Sequence, residues 1–227
     1  MATLLQLCKD VRREVGASGD DNTVVGATGE WGRIVEHVRT AWEEIQGEAE
    51  EPGWEFMRKA FSFVTIPEQA EYEFDLAPLS LTDFSAWKPW SFRLFQDTFR
   101  DEIYLQYLPY AIFRDTYLLG SFRESYSVPT VITISPAKSL VLALPPLGAY
   151  TVSGEYYTTA TKLVNDADVP ELPERYHRAI MYRAMMHYGM YEVAEEVVKR
   201  GATEYARMLE RIQISELPDT LTARSFI

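Results

Sequence analysis

The sequence is poor in the residues that build metal sites and disulfides, with one cysteine and three histidines among 227 residues. Cys8 alone cannot form a disulfide framework or a cysteine-rich zinc site within one chain. It lies on the apolar side of a predicted helix, so we expect a small buried side chain rather than a reactive thiol. His177 and His187 are ten positions apart, whereas a metal-binding pair on one helical face needs a spacing of three or four. We therefore expect no metal site, and histidines that are solvated or at an interface.

Long apolar runs are also missing. No stretch approaches the ~20 apolar residues that a membrane helix needs. The first residues, MATLLQLCKDVRREVG, lack the apolar core and the small-residue cleavage site of a signal peptide. We expect a soluble protein that is synthesised in a cytoplasm and has no membrane contact.

Positive charge is scarce, since 22 Lys and Arg residues stand against 34 Asp and Glu, for a net charge of −12. A protein that grips nucleic acid by its phosphates needs clustered basic residues, so we do not expect one here. The net negative charge is compatible with a protein past which DNA moves without binding, because like charges repel. Asp166 and Asp168 resemble the start of a calcium loop, but the glycine and the terminal glutamate of an EF-hand are absent.

Motifs of known catalytic sites are absent as well. The run GATGEWG (26–32) precedes a helix, but it has neither a preceding strand nor the lysine of a phosphate-binding loop. The run GASG (16–19) does not match a nucleophile elbow. Adjacent acids such as Glu195 and Glu196 point about 100° apart on a helix, which excludes a facing carboxylate pair. We expect no enzyme and no cofactor.

Aromatic residues, in contrast, are abundant, with 14 Tyr, 11 Phe and 5 Trp. A small β region cannot bury all of them within one chain, and Tyr and Trp are favoured at protein interfaces. We expect part of this set to lie between subunits. The inter-subunit candidates are Trp87, Trp90, Tyr104, Tyr107, Tyr156 and Tyr157. Stacking on single-stranded nucleic acid would need a basic groove that the sequence does not supply.

Hydrophobic periodicity predicts helices towards both ends of the chain and strands between them. The predicted helices cover 3–15, 30–49 with Thr28 as N-cap, a segment from Glu174 that Gly189 breaks or kinks, and 190–213. The predicted β elements are a hairpin of 61–66 and 70–76 and strands at 91–95, 102–108, 130–134, 139–144 and 149–157. A loop at 77–90 and a helix at 109–121 interrupt them. The strands together predict an antiparallel sheet.

This order predicts an α+β fold that is mainly helical. We expect the N- and C-terminal helices (1–53 and 158–214) to form a bundle from which an inserted antiparallel β region (54–157) projects. Residues 215–227 are predicted to form an extended C-terminal arm with an apolar tip.

Three segments carry a family resemblance. They are the pattern W-x-E-I-Q followed by Trp and Phe (42–63), the run LVLALPPLGAYTVSGEYYTTATKLV (140–164) and the run DVPELPERYHRAIMYRAMMHYGMYE (168–192). Their order over roughly residues 30–213 resembles that of tailed-phage head–tail adaptor (connector) proteins, the family that includes the phage SU-ten adaptor. The Pro-Pro turn, the Tyr-Tyr strand and the P-x-L-P-x-x-Y-H start of a helix carry most of this resemblance.

The resemblance implies a structural protein of the virion neck, synthesised in the host cytoplasm. Such adaptors assemble as twelve copies in a ring beneath the portal protein and join it to tail or nozzle proteins. Double-stranded DNA passes through the channel of that ring without specific binding. Glu192, Glu195 and Glu196 are the acids that we expect to face the channel.

The C-terminal arm is expected to dock on the portal. Leu221, Phe226 and Ile227 would serve as apolar anchors, and Arg224 would supply a directional charge. Such a segment can become ordered when it binds.

Two other hypotheses remain open on the sequence. The chain could be a different ring or tube component of a phage neck or tail. It could also be a binding module whose aromatic β face holds a peptide or a sugar. A monomer with a ligand pocket favours the binding module, and assembly on purified portal favours the adaptor.

Overall fold

The computed structural model describes residues 1–18, 22–49, 53–96, 101–119 and 126–217. The chain divides into two compact units. One contains Met1–Met57 together with the chain from Ala160 onward, and the other is Arg58–Thr159. Helices dominate the first unit and strands the second, so the fold is α+β, as the sequence predicts.

The elements are named in chain order. The helices are α1 (Leu4–Val15), α2 (Gly29–Gly47), α3 (Tyr110–Phe113), α4 (His177–Tyr191) and α5 (Glu195–Glu216). The strands are β1 (Arg58–Val64), β2 (Glu71–Tyr72), β3 (Phe84–Trp87), β4 (Arg93–Gln96), β5 (Asp101–Tyr104), β6 (Gln106–Tyr107), β7 (Val131–Ile134), β8 (Leu140–Leu142) and β9 (Thr151–Thr158). Short 3-10 turns at Glu55–Met57 and Glu174–Tyr176 precede β1 and α4.

Helix α1 forms because its apolar residues recur at helical spacing and both of its ends are capped. Its buried residues are Leu4, Leu7, Cys8 and Val11. Thr3 Oγ1 accepts a hydrogen bond from the N–H of Gln6 at 3.3 Å. Gly16 ends the helix at φ 69°, a left-handed conformation that glycine adopts without strain. The predicted helix at 3–15 is confirmed.

Helix α2 buries the stripe that its periodicity predicts. The predicted and buried residues are Trp31, Ile34, Val35, Val38, Trp42 and Ile45. Full burial of one Ile or Val contributes about 1.5–3 kcal/mol. Thr28 occupies the N-cap position, but its side chain makes no hydrogen bond to the helix, so the predicted side-chain cap is wrong. At the other end, Trp54 Nε1 donates to the carbonyl oxygen of Ile45 at 2.7 Å.

Helices α4 and α5 form an antiparallel pair. The break predicted at Gly189 is wrong, because α4 continues to Tyr191. Its lack of a side chain serves packing instead, since a Cβ there would lie 2.8 Å from Cγ2 of Val198 on α5. A Cβ on Gly201 would likewise lie 2.9 Å from the carbonyl oxygen of Tyr182. The glycines therefore let the two helices approach closely.

The β unit contains two sheets rather than one antiparallel sheet. The order in the first is β1-β9-β4-β5, and β3 also pairs with β9. The order in the second is β2-β8-β7-β6, where β6 and β7 run parallel. That parallel pair corrects the prediction of purely antiparallel pairing. The loop predicted at 77–90 contains strand β3, whose Trp87 pairs with Tyr156.

The predicted hairpin of 61–66 and 70–76 is wrong. Strand β1 pairs with β9 along its whole length, from Arg58↔Tyr157 to Val64↔Thr151, and β2 pairs with β8. Alternation of apolar and polar residues specifies which face of a strand is buried, but not which strand lies beside it.

One apolar core links the two sheets of the β unit. Phe61, Phe63 and Val152 of the first sheet and Tyr72, Ile132 and Leu140 of the second belong to the same buried cluster. Gly154 on β9 lies beneath two aromatic side chains, because a Cβ there would lie 2.8 Å from Phe92 and 2.9 Å from Phe61. The helix predicted at 109–121 is short, with α3 followed by a π-type turn at Arg114–Leu118.

Candidate assembly surfaces

One of the three histidines, His177, is buried in the helical unit, whereas His37 and His187 are half-buried. His177 is 4% exposed, and its Nε2 is 2.8 Å from the carbonyl oxygen of Leu172. His187 Nε2 is 2.8 Å from Glu44 Oε2, and its ring stacks on that of His37 with centroids 6.0 Å apart. For His177 the expectation of a solvated or interface histidine is therefore wrong, because its ring is buried and has a partner within the unit.

The two aspartates that resemble a calcium loop accept hydrogen bonds from the backbone. Asp166 accepts from the N–H of Val24 at 2.6 Å. Asp168 accepts from the N–H groups of Val164 and Asn165, both at 2.7 Å, and these bonds lower the pKa of its carboxyl. Within the described ranges, no group of three or more His, Cys, Asp or Glu side chains could hold a metal ion.

Other ionisable groups join the helices to one another. Burial opposes ionisation of Glu44, but hydrogen bonds from Arg183 at 2.6 Å and from His187 outweigh it, so the pKa of Glu44 lies below its ordinary value. Tyr188 donates to Glu30 at 2.7 Å, and burial together with this bond raises the pKa of Tyr188 to about 12. These side chains hold α2 against α4.

Half of the predicted inter-subunit aromatics are buried. Trp87, Tyr156 and Tyr157 are at most 5% exposed. Trp87 Nε1 donates to the carbonyl oxygen of Lys138 at 2.6 Å, and the Tyr156 hydroxyl donates to Asp83 at 2.9 Å. Burial and this bond raise the pKa of Tyr156 to about 12. These three side chains offer almost no surface to another molecule.

Of the other three candidates, Trp90 and Tyr104 are exposed, and Tyr107 on β6 is half-buried against the core of the β unit. We call Trp90, Phe95, Tyr104 and Tyr107 the aromatic patch. Trp90 is 56% exposed, and its ring meets that of Tyr107 edge to face at 5.3 Å. Tyr104 donates to the carbonyl oxygen of Trp90 at 2.8 Å, and Arg93 lies 4.2 Å above the Tyr104 ring. The patch is therefore a preorganised apolar surface open to solvent.

The three acids predicted to face a channel are exposed around the turn between α4 and α5. Glu192 follows the end of α4, and Glu195 and Glu196 begin α5, where negative charge complements the helix dipole. Among the described residues none of the three has an ion-pair partner. Exposed apolar side chains accompany them, namely Met190, Tyr191 and Val193. We call residues 190–196 the helical tip.

Sequence reasoning missed a basic hollow between the first half of α4 and the second half of α5. Its volume is about 430 Å³. The residues that line it are Arg175, Arg178, Tyr182, Glu204, Arg207, Met208 and Arg211. We call it the arginine hollow. Arg175 and Arg178 are three residues apart and Arg207 and Arg211 are four apart, so each pair lies on one helical face. This spacing can be read from the sequence, but the negative net charge of the whole chain gives no indication of a basic site.

The portal-docking candidates Leu221, Arg224, Phe226 and Ile227 lie outside the described residues, which end at 217. None of the helices in the described part of the chain has the length and apolar character to span a bilayer.

The chain matches a known protein family over nearly its whole length. The family model described as SU10 adaptor protein matches residues 2–224. The chain therefore belongs to the SU10 adaptor family, as its segments indicated. None of the curated proteins compared with the chain matches it. Membership implies a structural, non-enzymatic component of the virion that contacts other head and tail proteins.

Proposed function

We propose that this chain is the head–tail adaptor of a tailed phage. Twelve copies form a ring that lies in the virion neck, joins the portal to the tail or nozzle and surrounds the DNA exit channel. The observation that carries this proposal is the family match over residues 2–224. It covers helical and β units alike, so it concerns the whole architecture and not one common motif.

The aromatic patch supports a role in assembly. Phe95 and Tyr104 are 37% and 42% exposed, and both lie on the outward face of the β4–β5 pair. Tyr and Trp side chains of this kind serve as anchors when a partner covers them. We assign the patch to contact with a neighbouring subunit or a tail protein.

The acidic balance suits a ring that DNA traverses. A net charge of −12 on each copy repels the phosphate backbone, so DNA slides past without specific binding. The exposed positions of Glu192, Glu195 and Glu196 fit a channel wall. The apolar side chains beside them favour contact with another subunit instead.

We assign the C-terminal arm to the portal, and its start moves beyond Glu216, because Ser215 and Glu216 belong to α5. Leu221, Phe226 and Ile227 supply apolar anchors, and Arg224 supplies one charge. Because every copy contributes one arm, weak single contacts add up to firm attachment once neighbouring copies are in place.

Co-sedimentation with the portal protein of the same phage tests the proposal. We expect the full chain to sediment with the portal in a ratio of one adaptor per portal subunit. A chain that lacks residues 218–227, and so keeps the whole of α5, should keep its helical circular dichroism signal and stay in the supernatant. Equal sedimentation of both would refute the docking role of the arm, and sedimentation of neither would refute the adaptor function.

A further inference from the structure

The helical tip combines apolar side chains with acids that have no ion-pair partner among the residues that the structure describes. Met190, Tyr191 and Val193 expose 56%, 54% and 83% of their surface. Single exposed apolar residues are ordinary on protein surfaces, but three within four positions at one turn form a projecting patch. Glu192 lies within this patch, and Glu195 and Glu196 follow it. The tip therefore suits a partner surface that is apolar at its centre and basic around it.

The left-handed backbone of Val193 belongs to the turn that ends α4. Val193 has φ 55°, and the N–H of the next residue, Ala194, donates to the carbonyl oxygen of Gly189 at 2.8 Å, as in a helix C-terminal cap. Glycine is the usual residue at this position, because a β-branched side chain rarely adopts a left-handed conformation. Here the position instead carries a valine that is 83% exposed, which adds apolar surface to the tip.

The arginine hollow is complementary to the helical tip, because it combines basic side chains with apolar ones. Arg207 pairs with Glu204 at 2.7 Å, and Arg175 lies 3.5 Å from Glu216. Neither Arg178 nor Arg211 has a carboxylate partner in the part of the chain that the structure describes. Two uncompensated guanidinium groups in one hollow stand out in a chain of net charge −12.

The composition of the hollow favours a protein partner over nucleic acid. Tyr182 and Met208 supply its apolar surface, and Arg, Tyr and Met are the residue types enriched at protein interfaces. Lysine is absent from the lining and Glu204 is present, whereas phosphate-binding surfaces collect Lys with Arg and exclude acids.

We propose that the helical tip of one copy inserts into the arginine hollow of the next. Met190 and Val193 cover Tyr182 and Met208, while the acids of the tip meet the guanidinium groups. This inference rests on the proposed subunit ring and identifies one contact that builds it. It also moves Glu192, Glu195 and Glu196 from the channel wall to a boundary between subunits.

The geometry of one chain excludes its own tip as the occupant of its hollow. Tip and hollow lie on the same helix pair, about 20 Å apart along α5 at 1.5 Å per residue. The complementary charge and apolar character of the two surfaces therefore favour the tip of a second copy. A contact between two different patches of identical chains is head-to-tail, and such a contact builds a ring when the rotation between neighbours closes.

Cross-linking between two cysteine variants tests the contact directly. One protein carries Val193→Cys in the tip and the other Met208→Cys in the hollow. The native Cys8 is buried, and burial raises the pKa of its thiol to about 12, so it does not compete. With a short bis-maleimide, we expect the mixture to give about tenfold more covalent dimer than either variant alone.

A matched control replaces Val193→Cys with Val25→Cys, which is also exposed (59%) but lies outside the tip and the hollow. Its mixture with the Met208→Cys protein should give only background dimer. If tip and control mixtures give equal yields while wild-type rings form on the portal, the tip–hollow contact is wrong and the adaptor function stands. If no rings form on the portal at all, both proposals fall.

Charge exchange gives a second, independent measurement. Arg178→Glu with Arg211→Glu should weaken subunit association about tenfold or more. Glu195→Arg with Glu196→Arg should do the same, and all four changes in one chain should restore association. Loss of duplex DNA retention without any change in association would overturn the proposal in favour of a nucleic-acid site.

Discussion

Glu44 accepts hydrogen bonds from Arg183 and His187, two side chains of α4, while it belongs to α2. Its lowered pKa means that the folded state holds the ionised form more tightly than the unfolded chain does. The sequence shows Glu43 and Glu44 as two adjacent acids. Their side chains diverge on the helix, and only the fold shows that Glu44 meets two donors.

The pH dependence of folding stability measures how much the ionised Glu44 carboxylate contributes. A lowered folded-state pKa contributes stability that is complete above the unfolded value near 4.5 and is lost as pH falls through the folded value. We therefore expect Glu44→Gln to be less stable than wild type at pH 7. The difference should shrink below pH 4.5, as measured by thermal unfolding from pH 3 to 7. A difference that does not change with pH would show that ionisation of Glu44 contributes nothing.

The boundary between helices α4 and α5 depends on packing between the helices as well as on hydrophobic periodicity. Helical spacing correctly predicted the helices near both ends, because each buries one face. It misplaced the boundary between α4 and α5, because glycine usually ends helices and Gly189 and Gly201 instead serve a close contact. That distinction depends on the neighbouring helix, which local sequence does not identify.

A pair of glycine substitutions separates packing from helix propensity. Gly201→Ala should cost about 1–3 kcal/mol, because its Cβ would meet backbone of α4. Gly47→Ala, at the end of α2 with nothing within 4 Å of the added Cβ, should be neutral or stabilise by up to about 1 kcal/mol. Urea unfolding followed by circular dichroism measures both. Equal effects would mean that α4 and α5 do not depend on close approach.

Strand pairing was the feature of the β unit that could least be predicted from the sequence. Strand β1 finds its partner in β9, roughly 90 residues later, rather than in the next strand. Short alternating runs carry little information about such distant pairing. Local sequence also did not distinguish buried from exposed aromatic residues. Trp87 and Trp90 are three residues apart, yet Trp87 is 4% exposed and Trp90 is 56% exposed.

For the whole molecule, these two tryptophans distinguish folding from assembly. Trp87→Ala removes a buried core side chain and should destabilise the β unit by about 3–5 kcal/mol. Trp90→Ala should change unfolding by less than about 0.5 kcal/mol and still reduce incorporation into portal-bound assemblies. Differential scanning fluorimetry and co-sedimentation provide the two measurements. Normal incorporation of Trp90→Ala would remove the aromatic patch from the assembly surface.

The helical unit is discontinuous, with the whole of Arg58–Thr159 inserted between its two parts. At 5–20 residues per second, translation of those roughly 100 residues takes about 5–20 s. During that interval α1 and α2 have emerged from the ribosome without α4, the helix against which both pack. Their apolar faces stay uncovered while the β unit completes its fold, which makes the nascent chain a client for chaperones.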